Sequence, residues 1–208
     1  MIETHYDVEA AMSRTSVQHT LWVIDAGARD FRYKTIPDAV RILNTVFFPN
    51  CLGDVGTNFK IDAAIAQVAT GTTITPGAFD AVVFLVRDVT QSLPVTKLNQ
   101  TLKPSTVTNS KVLGNTWLGL SGGGLAEVFW DRLFSNQEAA NSIFHEAAHL
   151  KSGLDDAMHT ATVGAPHGGP GLRVLAAQGG GVISPSGDDF DFYMKAITNR
   201  IALRTKIP

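Results

Sequence analysis

The run DAVVFLVRDVT, residues 80–90, constrains the fold more than any other segment of this chain. From Ala81 to Val86 no polar side chain interrupts it, so the alternation of a half-exposed strand is missing. Its β-branched and aromatic residues predict a strand, and its near-continuous apolar character predicts burial on both faces. A second strand is expected at His19–Asp25 (HTLWVID). Between the two, Pro37 stands where a helix would begin, followed by Ala39, Val40, Leu43, Val46 and Phe47 at helical spacing. Pro49, Asn50 and Gly53 would end that helix.

The polar stretch Thr90–Ser110 reads as a long connection or an insertion. Asn115–Leu120 and Leu125–Trp130 flank the triplet Gly122–Gly124 and predict two short strands or a hairpin. Helical periodicity then takes over. Ser135 and Glu138 form a capping box, in which the serine oxygen accepts from the N3 amide while the glutamate reaches back to the cap amide. Ala139, Ala140, Ile143, Phe144, Ala147 and Ala148 supply an apolar face, and Gly153 is a natural stop, so a helix is expected over residues 136–152. Gly164–Gly171 and Gly179–Gly181 read as loops that lack the Lys-Ser/Thr of a phosphate loop, and residues 188–204 return to a helical pattern.

Composition narrows the functional classes. Charged residues make up 17% of the 208 and the formal net charge is −2, so no basic excess points to nucleic acid or to an acidic membrane surface. No apolar run is long enough for a transmembrane helix, and the opening MIETHYDVEAAM lacks the charged and apolar regions of a secretory signal. The expected location is therefore the cytoplasm, or an exterior reached without a cleaved signal. Cys51 stands alone, which excludes an intrachain disulfide and fits a reducing compartment.

The residues that carry chemistry are His145-Glu146-Ala147-Ala148-His149. On a helix, residues four apart share a face one turn apart, so both imidazoles can reach a single ion. Zinc accepts such nitrogens and keeps an open position for water at catalytic centres. Glu146 projects beside the ion, where its carboxylate can act as general base toward that water. A third protein ligand is required. No glutamate follows Glu146, which excludes a later glutamate ligand and leaves Asp155, Asp156, His159, His167, Asp188, Asp189 and Asp191. A chain reversing at Gly153 favours the first cluster, whereas His167 reads as a solvated loop residue and Asp188 and Asp189 as the acidic start of a helix.

With that motif the chain resembles the zincin metallopeptidases, and within them the aspartate-ligand branch, the aspzincins or deuterolysin-like peptidases. That family carries HExxH followed by Gly-Thr-x-Asp-x-x-Tyr-Gly, and residues 153–160, GLDDAMHT, keep its glycine and aspartate in register. The resemblance implies Asp156 as third zinc ligand. Gly187–Tyr193 is similar to a segment near the family's end, and the likeness covers about the last 85 residues. Leu154 replaces the threonine, His159 stands where the family has its oxyanion-stabilising tyrosine, and the spacer between the two motif parts is short. The resemblance then leaves the oxyanion role to His159 or Tyr193, or implies weaker catalysis. The chain is also similar to the metzincins, whose HExxHxxGxxH/D pattern, counted from His145, reaches Asp155. Met194 would have to supply that family's methionine turn.

These readings predict an α+β chain, and the resemblance implies a zincin-like metalloprotease fold. A small mixed sheet would pack on the motif helix, with a mostly helical and loop C-terminal part. One catalytic domain would span residues 1–208, with a loose arm at 1–16, an upper lobe at 17–152 and a lower lobe at 153–208. The expected activity is zinc-dependent endopeptidase cleavage of protein or peptide, as an intracellular enzyme or an exported toxin or effector. Two alternatives carry the same motif: a catalytically silent zincin fold that binds a partner, and a zinc hydrolase of a non-peptide amide or ester.

Overall fold

The computed structural model describes residues 17–50, 59–74, 81–88, 93, 95–97, 100–102, 112–118, 124–149, 185 and 204–206. Its main element is a five-stranded mixed sheet. The strands are β1 (Val17–Asp25), β2 (Phe59–Ala66), β4 (Ala81–Val86), β7 (Gly114–Leu118) and β8 (Gly124–Phe129), in the order β2-β1-β4-β8-β7. β2, β1, β4 and β8 run parallel, and β7 closes the series antiparallel to β8. Parallel neighbours need a crossover, and between β1 and β2 it is supplied by α1 (Ile36–Ile42). Thr35 caps α1 by accepting from the Asp38 amide, and proline sits in the first turn, where its missing N–H costs nothing. A π-helical turn over Leu43–Phe47 and a 3-10 turn over Phe48–Asn50 follow.

β4 lies at the centre, as its sequence requires. Val83 and Leu85 face one cluster and Val82, Phe84 and Val86 the other, all with no solvent exposure. The larger cluster fills the face shared with the helices. There Leu21, Val23, Ala126 and Val128 of the sheet meet Ile36 and Val40 of α1 and the apolar stripe of α2 (Asn136–His149). Phe144 of α2 packs at 4.8 Å centroid distance from Phe47, so the turn after α1 and the motif helix lock together over the sheet. The opposite face is covered in part by Ile74 and Leu93, beside a smaller four-stranded sheet. That sheet joins β3 (Thr73–Ile74), β5 (Val95–Lys97), β6 (Gln100–Leu102) and β9 (Arg204–Lys206) in the order β3-β9-β5-β6, with antiparallel pairing throughout.

The molecule is thus α+β, with a mixed sheet packed on the motif helix. Three local expectations are revised. The polar stretch after Thr90 carries β5 and β6, because main-chain pairing of β5 with β9 and of β6 with β5 makes strands of residues whose side chains give no apolar pattern. The expected helix over residues 188–204 fails at its last position, since Arg204 begins β9. Glu138 reaches one residue further back than the capping-box pattern predicts. Its carboxylate accepts from the Phe134 amide at 2.6 Å, while Ser135 Oγ accepts from the Glu138 amide at 3.1 Å. The 1–16 arm and most of the 153–208 segment lie outside the described residues. No described helix is long and apolar enough to cross a membrane.

The two edges of the main sheet differ. At the β2 edge, Asn44 covers one position: its side chain donates to the Ala63 carbonyl at 2.8 Å and accepts from the Ala63 amide at 2.7 Å. At the other edge, β7 is the last strand in the described sheet.

Candidate metal centre

α2 is held at its start by several independent contacts. Besides the Ser135–Glu138 cap, Asn136 Oδ1 accepts from the Thr35 amide at 2.8 Å, tying the two helix starts together. Lys34, fully buried, donates its Nζ to the carbonyls of Trp130 and Leu133 in the link between β8 and α2. The same ammonium lies over the rings of Phe31 and Trp130, at 4.9 and 4.6 Å from their centroids. Burial pushes its pKa down from 10.5 to about 8, against the raising influence of Asp131 and then Glu138. No sequence signal marked Lys34, because a lone lysine between polar residues reads as solvent-facing.

From Glu138 to His149 every side chain of α2 is buried. One stripe is apolar and meets the core. The other comprises Asn141, Ser142, His145, Glu146 and His149, and burying so many polar groups is unfavourable unless they are partnered or used. His145 and His149 are 9% and 6% exposed, and their Nε2 atoms approach to 2.9 Å with the rings 74° apart. At that distance one ring can donate its N–H to the other's lone pair. With both nitrogens deprotonated, the same atoms present two lone pairs to one point. A tetrahedral zinc ion holds two nitrogen ligands about 3.3 Å apart at its usual bond lengths. The pair would need to open by only about 0.4 Å, a small side-chain rotation. Two imidazoles are also the donor type that suits this ion. These two residues fit.

Glu146, 7% exposed, points toward β7. Its Oε2 accepts from Thr116 Oγ1 at 2.7 Å, and the Glu146 carbonyl, 3.3 Å from the same hydroxyl, is a weaker second acceptor. Gly114, on the same face of β7 two residues earlier, backs directly onto the carboxylate. A Cβ built there would stand 2.6 Å from Glu146 Cγ and Cδ and closer still to Oε1. Sequence reasoning identified the strand near Asn115 but neither of these two residues. Strand periodicity shows that they share a face, not that this face meets the motif helix.

Among the described residues no three His, Cys, Asp or Glu side chains converge on one point. Every candidate for the third ligand (Asp155, Asp156, His159, His167, Asp188, Asp189 and Asp191) lies outside the described residues, as do Tyr193 and Met194. Phe129 and Trp130, at the end of β8 and just beyond it, are core residues without exposure. No family model matches the chain, and neither the curated proteins nor the solved structures contain a match.

Proposed function

We propose that this chain is a zinc-dependent endopeptidase of the zincin type. The observation that carries the reading is the approach of His145 and His149 Nε2 to 2.9 Å, with the buried carboxylate of Glu146 directly after the first histidine. His145 and His149 would hold the ion, with Asp156 as the third ligand and Asp155 as its neighbour in line. When bound, zinc would polarise both a water molecule and a substrate carbonyl. Glu146 would take the proton from the attacking water and pass it to the departing amide nitrogen. His159 or Tyr193 would stabilise the oxyanion.

The sheet supports a peptide as substrate. Phe129 donates its amide to the Leu113 carbonyl, so Leu113 and Phe129 are a hydrogen-bonded pair of the antiparallel ladder. Alternation along the ladder then directs the N–H and C=O groups of Gly114, Thr116 and Leu118 away from β8, toward the outer edge. An extended peptide added there would gain main-chain hydrogen bonds next to Glu146. The order strand, helix, strands, motif helix also supports the finer reading of a zincin-like fold, in the layout of the metzincins.

Two measurements test the proposal. Metal analysis of protein purified without chelators should give about one zinc per chain. Cleavage of a denatured protein mixture should be lost in Glu146→Gln while the zinc is retained. A chain that retains no zinc rules out the zinc enzyme. A zinc-bound wild type that cleaves protein no better than Glu146→Gln leaves a binding module, or a zinc hydrolase of a non-peptide amide or ester, in place of the peptidase.

A further inference from the structure

We infer that Thr116 and Gly114 of β7 are positioning residues for the Glu146 carboxylate, an inference that rests on the peptidase reading above. Three observations on the strand carry it. The Thr116 hydroxyl donates to Glu146 Oε2 at 2.7 Å, and a hydroxyl donor 30 residues away in sequence is a tertiary contact rather than a helix-local one. Gly114 lies within a strand, where glycine ordinarily weakens pairing and often marks the close approach of another group. Its backbone does not require glycine, since the positive φ angles among the described glycines belong to Gly27 and Gly71. What Gly114 supplies is space, and the atoms occupying that space are Glu146 Cγ, Cδ and Oε1.

A glutamate side chain has three rotatable bonds, and a general base must present one lone pair to one proton. Removing the Cβ at position 114 admits the carboxylate, and the hydroxyl at position 116 fixes its rotation. The main chain of these same two residues faces the outer edge, where a peptide would pair. β7 therefore sets the distance between base and substrate as a single rigid piece. A side chain added at position 114 would displace the flexible end of Glu146 rather than the backbone, so the fold should survive the change while the base moves.

The test combines kinetics with a stability cycle that needs no activity. Thr116→Val keeps the shape and removes the donor; Thr116→Ser keeps the donor. With a denatured-protein substrate, Thr116→Val and Gly114→Ala should each lower kcat by about ten- to a hundredfold with KM little changed. Thr116→Ser should recover most of the rate, and zinc content should stay near one per chain in all three. In metal-free protein, Thr116→Val should lower Tm by about 3–10 °C, and clearly less in a Glu146→Ala background. Gly114→Ala should likewise be better tolerated once Glu146 is alanine. Additive Tm changes overturn the contact, whatever the chain hydrolyses. A Thr116→Val enzyme with wild-type kcat overturns the positioning role even if the cycle is non-additive. A wild type that binds zinc but cleaves nothing defeats the peptidase reading and the positioning role with it, while the cycle still reports the contact.

Discussion

Lys34 is a charged side chain without solvent exposure, and its surroundings oppose one another. Burial disfavours the ammonium, whereas Asp131, Glu138, two carbonyls and two aromatic faces favour it. Burial prevails, leaving the pKa near 8 rather than 10.5. Below pH 8 both the folded and the unfolded chain hold this proton, so the full cost of burying the charge is present at neutral pH. Between about 8 and 10.5 the unfolded chain keeps a proton that the folded chain gives up, and Lys34's contribution to stability rises with pH. Lys34→Met deprives the Trp130 and Leu133 carbonyls of their donor, which should destabilise the protein by about 1–3 kcal/mol at pH 7. Urea unfolding of both proteins from pH 7 to 10.5 should show the gap widening across the upper part of that range. A gap that stays constant would mean an unshifted lysine, and one that narrows a lysine whose charge the folded chain favours; either would show that burial does not prevail.

At the scale of the element, α2 serves two surfaces at once, and its residues divide between them by helical period. Phe144 anchors the apolar one, tilted against Phe47 at 4.8 Å and 6.3 Å from Phe48. Phe144→Ala should cost about 3–5 kcal/mol, because a cavity opens between two elements that cannot both move in to fill it. Denaturant titration would read this as a fall in midpoint with little change in slope; a loss below about 1 kcal/mol would show that the aromatic cluster is not what holds helix to sheet. This helix was the most legible part of the chain. Its cap, its apolar stripe and the spacing of His145, Glu146 and His149 are all local patterns, and local patterns survive without knowledge of tertiary neighbours. β4 was legible for a related reason, since a run apolar at every position admits one environment. β2 gave no such signal. Lys60 and Asp62 interrupt its alanines and isoleucines, and Thr20, the register partner of Asp62 on β1, donates to its carboxylate at 2.7 Å. Thr116 and Gly114 were illegible on the same ground: what they touch is decided by which face of β7 turns toward α2.

Over the whole molecule, one edge of the described sheet is met by a single asparagine and the other by the motif glutamate. Asn44 satisfies the outward main-chain groups of Ala63 on β2, whereas β7 holds Glu146 and directs its own main chain outward. An ion held by α2 would bind a site that exists only once the helix is packed, because an isolated helix of this length is marginal in water. Binding to the folded chain alone raises stability by RT ln(1 + [L]/Kd), or about 2.7 kcal/mol at a hundredfold excess over Kd. For a chain of this size that corresponds to a rise in Tm of roughly 5–10 °C. Zinc should therefore raise Tm by that amount, a chelator should reverse it, and magnesium should give no comparable shift, since it prefers hard oxygen ligands in octahedral array. His149→Ala should abolish the zinc effect while leaving the metal-free Tm within a few degrees, because the substitution removes one member of the buried pair without touching the apolar stripe. If zinc raises the Tm of His149→Ala as much as that of the wild type, the ion binds elsewhere, and the converging imidazoles are a hydrogen-bonded pair and nothing more.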